Sequence, residues 1–118
     1  MREGDDPLPI IDYRQGLENA VGDQAIFEAV CEAALQEIPS LCPLLEEALE
    51  NCESGSGERL AHTIKGAARA IAAERVMAIA EAIEKAMAGQ DLEDARRRYK
   101  LLTPAIEELK LELGKQRS

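Results

Sequence analysis

The stretch AVCEAALQEIPSLCPLLEEALENC, residues 29–52, carries Cys31, Leu35, Ile38, Cys42, Leu45, Leu49 and Cys52 at alternating spacings of four and three. That is the period of one buried helical stripe. The stripe keeps its register past Pro39 and Pro43, although a proline inside a helix deletes a backbone hydrogen bond and normally kinks it. A seam unbroken across two prolines predicts one long bent helix beginning at Asp23, not two short ones.

Upstream of it, Asp12 stands where it could cap a short helix through Ala20, closed by Gly22. Downstream, Glu53-Ser54-Gly55-Ser56-Gly57 has the composition of a turn. A helix from about Glu58 to Ala72 follows, with Leu60, Ile64, Ala67 and Ile71 as its buried stripe. Another begins near Glu74, buries Val76, Ile79, Ile83 and Met87, and stops at Gly89. The last runs from about Leu92 to Leu113 on Leu92, Ala95, Tyr99, Leu102, Ile106, Leu109 and Leu113, with a bend expected at Pro104. Four such stripes joined by short loops predict an all-α fold, an antiparallel up-down four-helix bundle preceded by a short extra helix. Residues 1–11 read as a leader or linker, 12–113 as the bundle domain and 114–118 as a tail.

Composition agrees. Aromatic residues make up 3% of the 118, with Phe27 the one phenylalanine, so the core is left to Leu, Ile, Val and alanines, which suits closely packed helices. A net charge of −9, from 23 acidic and 14 basic residues, argues against a nucleic-acid partner, whose phosphates need a neutralising basic surface. Arg96, Arg97 and Arg98 read as solvated charges offsetting that acidity. Cys31, Cys42 and Cys52 match no zinc spacing. Their apolar helix positions predict buried free thiols in a reducing cytoplasm. The longest apolar runs are only a few residues, so neither a signal peptide nor a membrane span is expected.

The only histidine is His62, off the buried stripe and in line with Arg59, Lys65, Arg69 and Ala73. Gly66 stands four residues on, on the same face. A glycine in a helix interior costs roughly 1 kcal/mol against alanine, which is reasonable where something large must approach the imidazole. Thr63 is adjacent in sequence, but neighbouring helical residues point about 100° apart and cannot work together. The segment GSGERLAH lacks the lysine and spacing of a phosphate loop. No self-contained enzyme site is legible, which leaves the histidine acting alone as a nucleophile. Neutral imidazole has one lone-pair nitrogen and can carry a phosphoryl group.

The run His62-Thr63-Ile64-Lys65-Gly66, followed by Ala67-Ala68 and Ala72-Ala73, resembles the H-x-[LI]-K-G-[SAG] signature of histidine-containing phosphotransfer (HPt) domains. The likeness extends over roughly residues 10 to 112: Ile11-Asp12, Gly16-Leu17 and Gly22-Asp23 resemble the family's first helix, and Ile83-Glu84 its next-helix segment. The resemblance implies that His62 takes the phosphoryl group on Nε2, that Lys65 pairs with the phosphate, and that Gly66 leaves space for the partner. It implies that Glu84 accepts the hydrogen bond from Nδ1–H, with Arg69 giving electrostatic support. The family often has glycine-alanine where this chain has Ala72-Ala73, a departure at the end of the histidine helix.

The expected function is a phosphorelay intermediate. It would be cytoplasmic and monomeric, taking phosphoryl groups from a receiver-domain aspartate or a hybrid sensor kinase and passing them to another receiver. It would hold no nucleotide site, cofactor or metal, the Mg2+ belonging to the receiver, and no nucleic acid or membrane partner. Two alternatives stay open: a phosphorylation-inert adaptor bundle that binds a receiver or kinase, and a structural or dimerising bundle in which the histidine is incidental.

Overall fold

A computed structural model describes residues 8–116. It contains α1 (Tyr13–Asn19), α2 (Gln24–Glu50), α3 (Ser54–Ala70), α4 (Glu74–Ala88) and α5 (Leu92–Gln116), with no strand among the described residues. The last four form an antiparallel bundle in which α3 packs between α2 and α4, and α5 closes the ring against α4 and α2. No helix among the described residues is long and apolar enough to cross a membrane.

The long helix α2 runs unbroken through Pro39 and Pro43. Its buried line of Phe27, Cys31, Ala34, Ile38, Leu45, Ala48 and Leu49 explains why: apolar burial on both sides of the prolines outweighs two missing backbone bonds. Polar side chains gather around the interruption. Ser40 Oγ donates to the Glu37 carbonyl at 2.6 Å, and Tyr99 Oη donates from α5 to the Cys42 carbonyl at 3.1 Å. Burial, with Cys42 and Glu46 adding to it, pushes the Tyr99 phenol up to about 12.

Each of the four interhelix turns is the same device. The C-cap residue is followed by a residue in the left-handed region, and the next N–H reaches back to a carbonyl of the last turn. The left-handed residues after the caps are Val21, Cys52, Ala72 and Gln90, and in the first turn Gly22, at φ 76, is left-handed as well. The closing bonds are Gly22 N to Leu17 O, Glu53 N to Ala48 O, Ala73 N to Ala68 O, and Asp91 N to Ala86 O. These are Schellman motifs without glycine at the left-handed site. They correct the sequence reading at one place: Ser54 to Gly57 are not a turn but the first turn of α3, which therefore spans Ser54–Ala70 and not Glu58 to Ala72. The chain reverses on Asn51, Cys52 and Glu53 instead.

Side-chain burial brings further corrections. The core line of α3 is Gly57, Ala61, Ile64 and Ala68, with Ile71 in the turn beyond, while Leu60 and Ala67 sit partly buried at its edge. Ala73, expected in line with His62, lies past the helix end and is buried. Of the three cysteines, none in a disulfide, only Cys31 is buried; Cys42 is half-buried and Cys52 exposed. Nor are the three arginines merely solvated. Arg96 donates to the Leu49 carbonyl at the end of α2 at 2.7 Å, and Arg97 and Arg98 both pair with Asp94.

The small helix α1 covers one end of the bundle. Asp12 caps it by accepting from the Gln15 N–H, and the Asp12 N–H donates to Ala72 O at 2.9 Å. Gly16 is needed for contact: a Cβ there would lie 2.5 Å from the Phe27 ring and 3.0 Å from Ile71 O. Packing begins before Asp12, since Ile11 is buried and Ile10 lies against the core. Arg75 holds the Leu8 carbonyl. Helix α5 continues to Gln116, beyond the expected end at Leu113. Of the expected leader and tail, residues 1–7 and 117–118 lie outside the described residues.

Candidate functional site

Ile64 on α3 and Ile83 on α4 are both fully buried, and Ala61, Ala68 and Ala80 around them are too. Small residues between two helices let their axes approach closely. The same register brings the residue after each isoleucine, Lys65 and Glu84, together at the rim of the α3–α4 seam. Lys65 Nζ lies 2.6 Å from Glu84 Oε1, and His62 Nδ1 lies 2.6 Å from Glu84 Oε2. One carboxylate thus holds both the imidazole and the ammonium.

Exposure is sharply divided within this cluster. The His62 side chain is 66% exposed, whereas Glu84 and Lys65 keep only 18% and 13%. Burial alone would raise the Glu84 carboxyl, but hydrogen bonds from Lys65 and His62 and their charges outweigh it, so it is held below the usual carboxylate value. An ionised carboxylate can only accept. The proton between Nδ1 and Oε2 therefore belongs to the ring nitrogen, so that in a neutral imidazole the lone pair falls to Nε2.

The sequence grouped five residues here, and the structure brings three of them into contact. Gly66 is a neighbour in space rather than a bonded one: a Cβ built on it meets nothing within 4 Å. Arg69 stays outside the cluster, exposed at the end of α3, with no ion pair among the described residues. Its backbone is engaged instead, since Asn19 Nδ2 donates to the carbonyls of Arg69 and Ala70 at 3.1 and 3.4 Å. Sequence reasoning did not find Asn19, because nothing local marks an asparagine as the cap of a helix 50 residues away. Nor did it single out Leu44 and Ala48 of α2. With Arg59, Leu60 and Thr63, among others, they line a groove of about 430 Å³ on the other flank of the histidine helix, with Leu44 half exposed.

A profile of the Hpt domain matches residues 29–113. The chain belongs to the Hpt domain family. Hpt domains are phosphocarrier modules of phosphorelays, where they interact with receiver domains and kinases. The match spans α3, α4, the described part of α5 through Leu113 and most of α2, and leaves out α1. No curated protein sequence matches the chain.

Proposed function

We propose that this Hpt domain carries its phosphoryl group on His62 Nε2, receiving it from a receiver-domain aspartate or a kinase and delivering it to another receiver. The observation that carries this reading is a divided imidazole: Nδ1 is bound to a sheltered, ionised carboxylate, while the rest of the ring is exposed beside open space at Gly66.

In the transfer, the Nε2 lone pair attacks phosphorus in line. The N–P bond forms as the P–O bond of the acyl phosphate breaks, and the aspartate leaves as a carboxylate. The ring gains positive charge that Glu84 faces at hydrogen-bond distance. Lys65, one turn from His62, neutralises phosphoryl oxygens, and Arg69 adds positive potential further along the helix. Transfer to the second receiver is the same step in reverse. Phosphoryl transfer needs mostly positioning and charge neutralisation, which a helical surface can supply. The divalent metal belongs to the receiver, and this chain contributes no nucleotide site.

The test is labelling of wild type and His62→Gln by phosphorylated receivers or by phosphoramidate. An acid-labile, base-stable label on the wild type that is absent from the variant is expected. An equal label on the variant would remove His62 from the reading, and no label on either protein would leave a phosphorylation-inert adaptor.

A further inference from the structure

Four non-glycine residues among those described occupy the left-handed region at the helix ends, and three have a visible reason to be what they are. Ala72 is 2% exposed, its methyl buried in the core. The Cys52 thiol lies against the Arg96 guanidinium at 3.5 Å. Gln90 is polar and solvated. Val21 has no such reason. It is β-branched, the type least suited to positive φ, and sits at φ 50 with 84% of its surface exposed. Strain retained where the fold gains nothing points outward, to something the fold contacts.

Its surroundings say what. The turn is stiff: Val21 N donates to Glu18 O, Gly22 N to Leu17 O and Asp23 N to Ala20 O, and Asp23 caps α2 through the Ile26 N–H. Ile26, in that first turn of α2, is 44% exposed. Two apolar side chains are thus displayed on a preorganised support, which lowers the entropy lost on binding. Asn19, two residues before Val21, is bonded to the last carbonyls of the histidine helix. Arg69 lies seven residues from His62, about 10 Å at 1.5 Å per residue. A standard interface of about 800 Å² a side is roughly 30 Å across. A footprint of that size centred near Gly66 reaches about 15 Å each way, over His62 and Arg69 and past the end of α3, where Asn19 ties on the chain that leads into the Val21 turn. The face it covers carries the exposed guanidiniums of Arg59 and Arg69, neither in an ion pair among the described residues, while the Lys65 charge is already met by Glu84; in a chain of net charge −9 these two cations are complementary to the phosphoaspartate pocket of a receiver.

We propose that Val21, with Ile26, anchors the docked receiver domain by inserting into an apolar patch beside its acidic pocket, and so determines which receivers the domain serves. This rests on the phosphotransfer reading above.

Val21→Gly separates the fold from the contact, because glycine relieves the left-handed strain while removing the isopropyl group. Wild type, Val21→Gly and Gln90→Gly are assayed with the receiver domains of the source genome, each phosphorylated beforehand, and with phosphoramidate. The expected result is a Val21→Gly protein that melts a few degrees higher yet transfers more slowly. Its kcat/KM from the preferred receiver, divided by its phosphoramidate rate, should fall about tenfold, mainly through KM. Gln90→Gly, with the same relief at another turn, should keep the wild-type ratio. A wild-type ratio in Val21→Gly for every receiver overturns the anchor while leaving the phosphotransfer reading intact. Loss of self-association with unchanged transfer also overturns it, assigning Val21 to a contact between copies. No label on wild type from any donor overturns both.

Discussion

Gly57 and Gly66 lie in the same helix, nine residues apart, and at 3.6 residues per turn they face opposite sides. A Cβ on Gly57 would fall 1.9 Å from Met87 Cε, inside the α3–α4 contact; one on Gly66 would meet nothing within 4 Å. The first glycine allows two helices to close, and the second leaves a helix open. Composition scores them alike, and only the neighbouring helix tells them apart. Helix α4 serves both faces: Met87 fills the space Gly57 vacates, while Glu84, one turn earlier, reaches the rim where His62 and Lys65 meet it.

The largest expected effects come from putting the same side chain at both positions. Gly66→Leu should fold, and should gain close to 1 kcal/mol from helix propensity, read as a melting temperature a few degrees higher. Its transfer from a phosphorylated receiver should fall about 100-fold, since a displacement of about 1 Å at a reacting centre can cost that much. Gly57→Leu should do the reverse. Overpacking against fully buried Met87 should cost about 3 kcal/mol, read by urea denaturation, while the folded fraction still transfers. If Gly66→Leu transferred normally, the open face would have no partner to admit.

Glu84→Gln sharpens the comparison on the exposed side alone. Glutamine keeps the shape but gives up the charge that holds Lys65 and fixes the ring proton. Loss of a carboxylate that orients a histidine typically costs about 10-fold or more, and the transfer rate should drop by that order. The pH dependence follows from the direction of the shift. The folded carboxyl is held below its ordinary value of 4.5, so its contribution to stability is complete above that value and is lost as pH falls through the lowered one. The urea midpoint of wild type should exceed that of Glu84→Gln at pH 7, and the gap should shrink steadily below about pH 4.5. A gap that persisted at pH 2.5 would mean that packing, not charge, ties Glu84 to its neighbours.

How much of this was legible beforehand depended on whether a signal was periodic or positional. The seam from Cys31 to Leu49 was readable through two prolines because burial repeats every turn, and one repeat corrects another. The segment from Ser54 to Gly57 misled because turn residues are judged by type, and these glycines serve packing and helix start instead. Arg96 was misjudged for a related reason: its partner is a backbone carbonyl of Leu49, and every residue type offers one. At the site, spacing placed His62, Lys65 and Gly66 on neighbouring turns, and the resemblance added Glu84. That Lys65 rests on Glu84 rather than facing solvent depends on the α3–α4 register, which no single helix contains.

The smallest expected effect concerns the turn that ends the histidine helix, where the chain has Ala72 and the family often has glycine. Ala72 is not in the helix at all; it holds the left-handed position after the C-cap Ile71. Glycine would remove a steric cost of about 1–2 kcal/mol. It would also delete a methyl whose burial is worth about 0.8 kcal/mol, and it would give the unfolded chain more freedom by about 0.4–1 kcal/mol. These effects nearly cancel, so Ala72→Gly should leave the melting temperature within about 3 °C of wild type. At the exposed Gln90 there is no buried methyl to lose, and Gln90→Gly should be stabilising by up to about 1 kcal/mol. Equal gains at both turns would show that the Ala72 methyl contributes nothing where it is buried, and the departure from glycine would then have no packing reason. Unequal gains would tie alanine at this turn to the closure of the core under the last turn of the helix that carries His62.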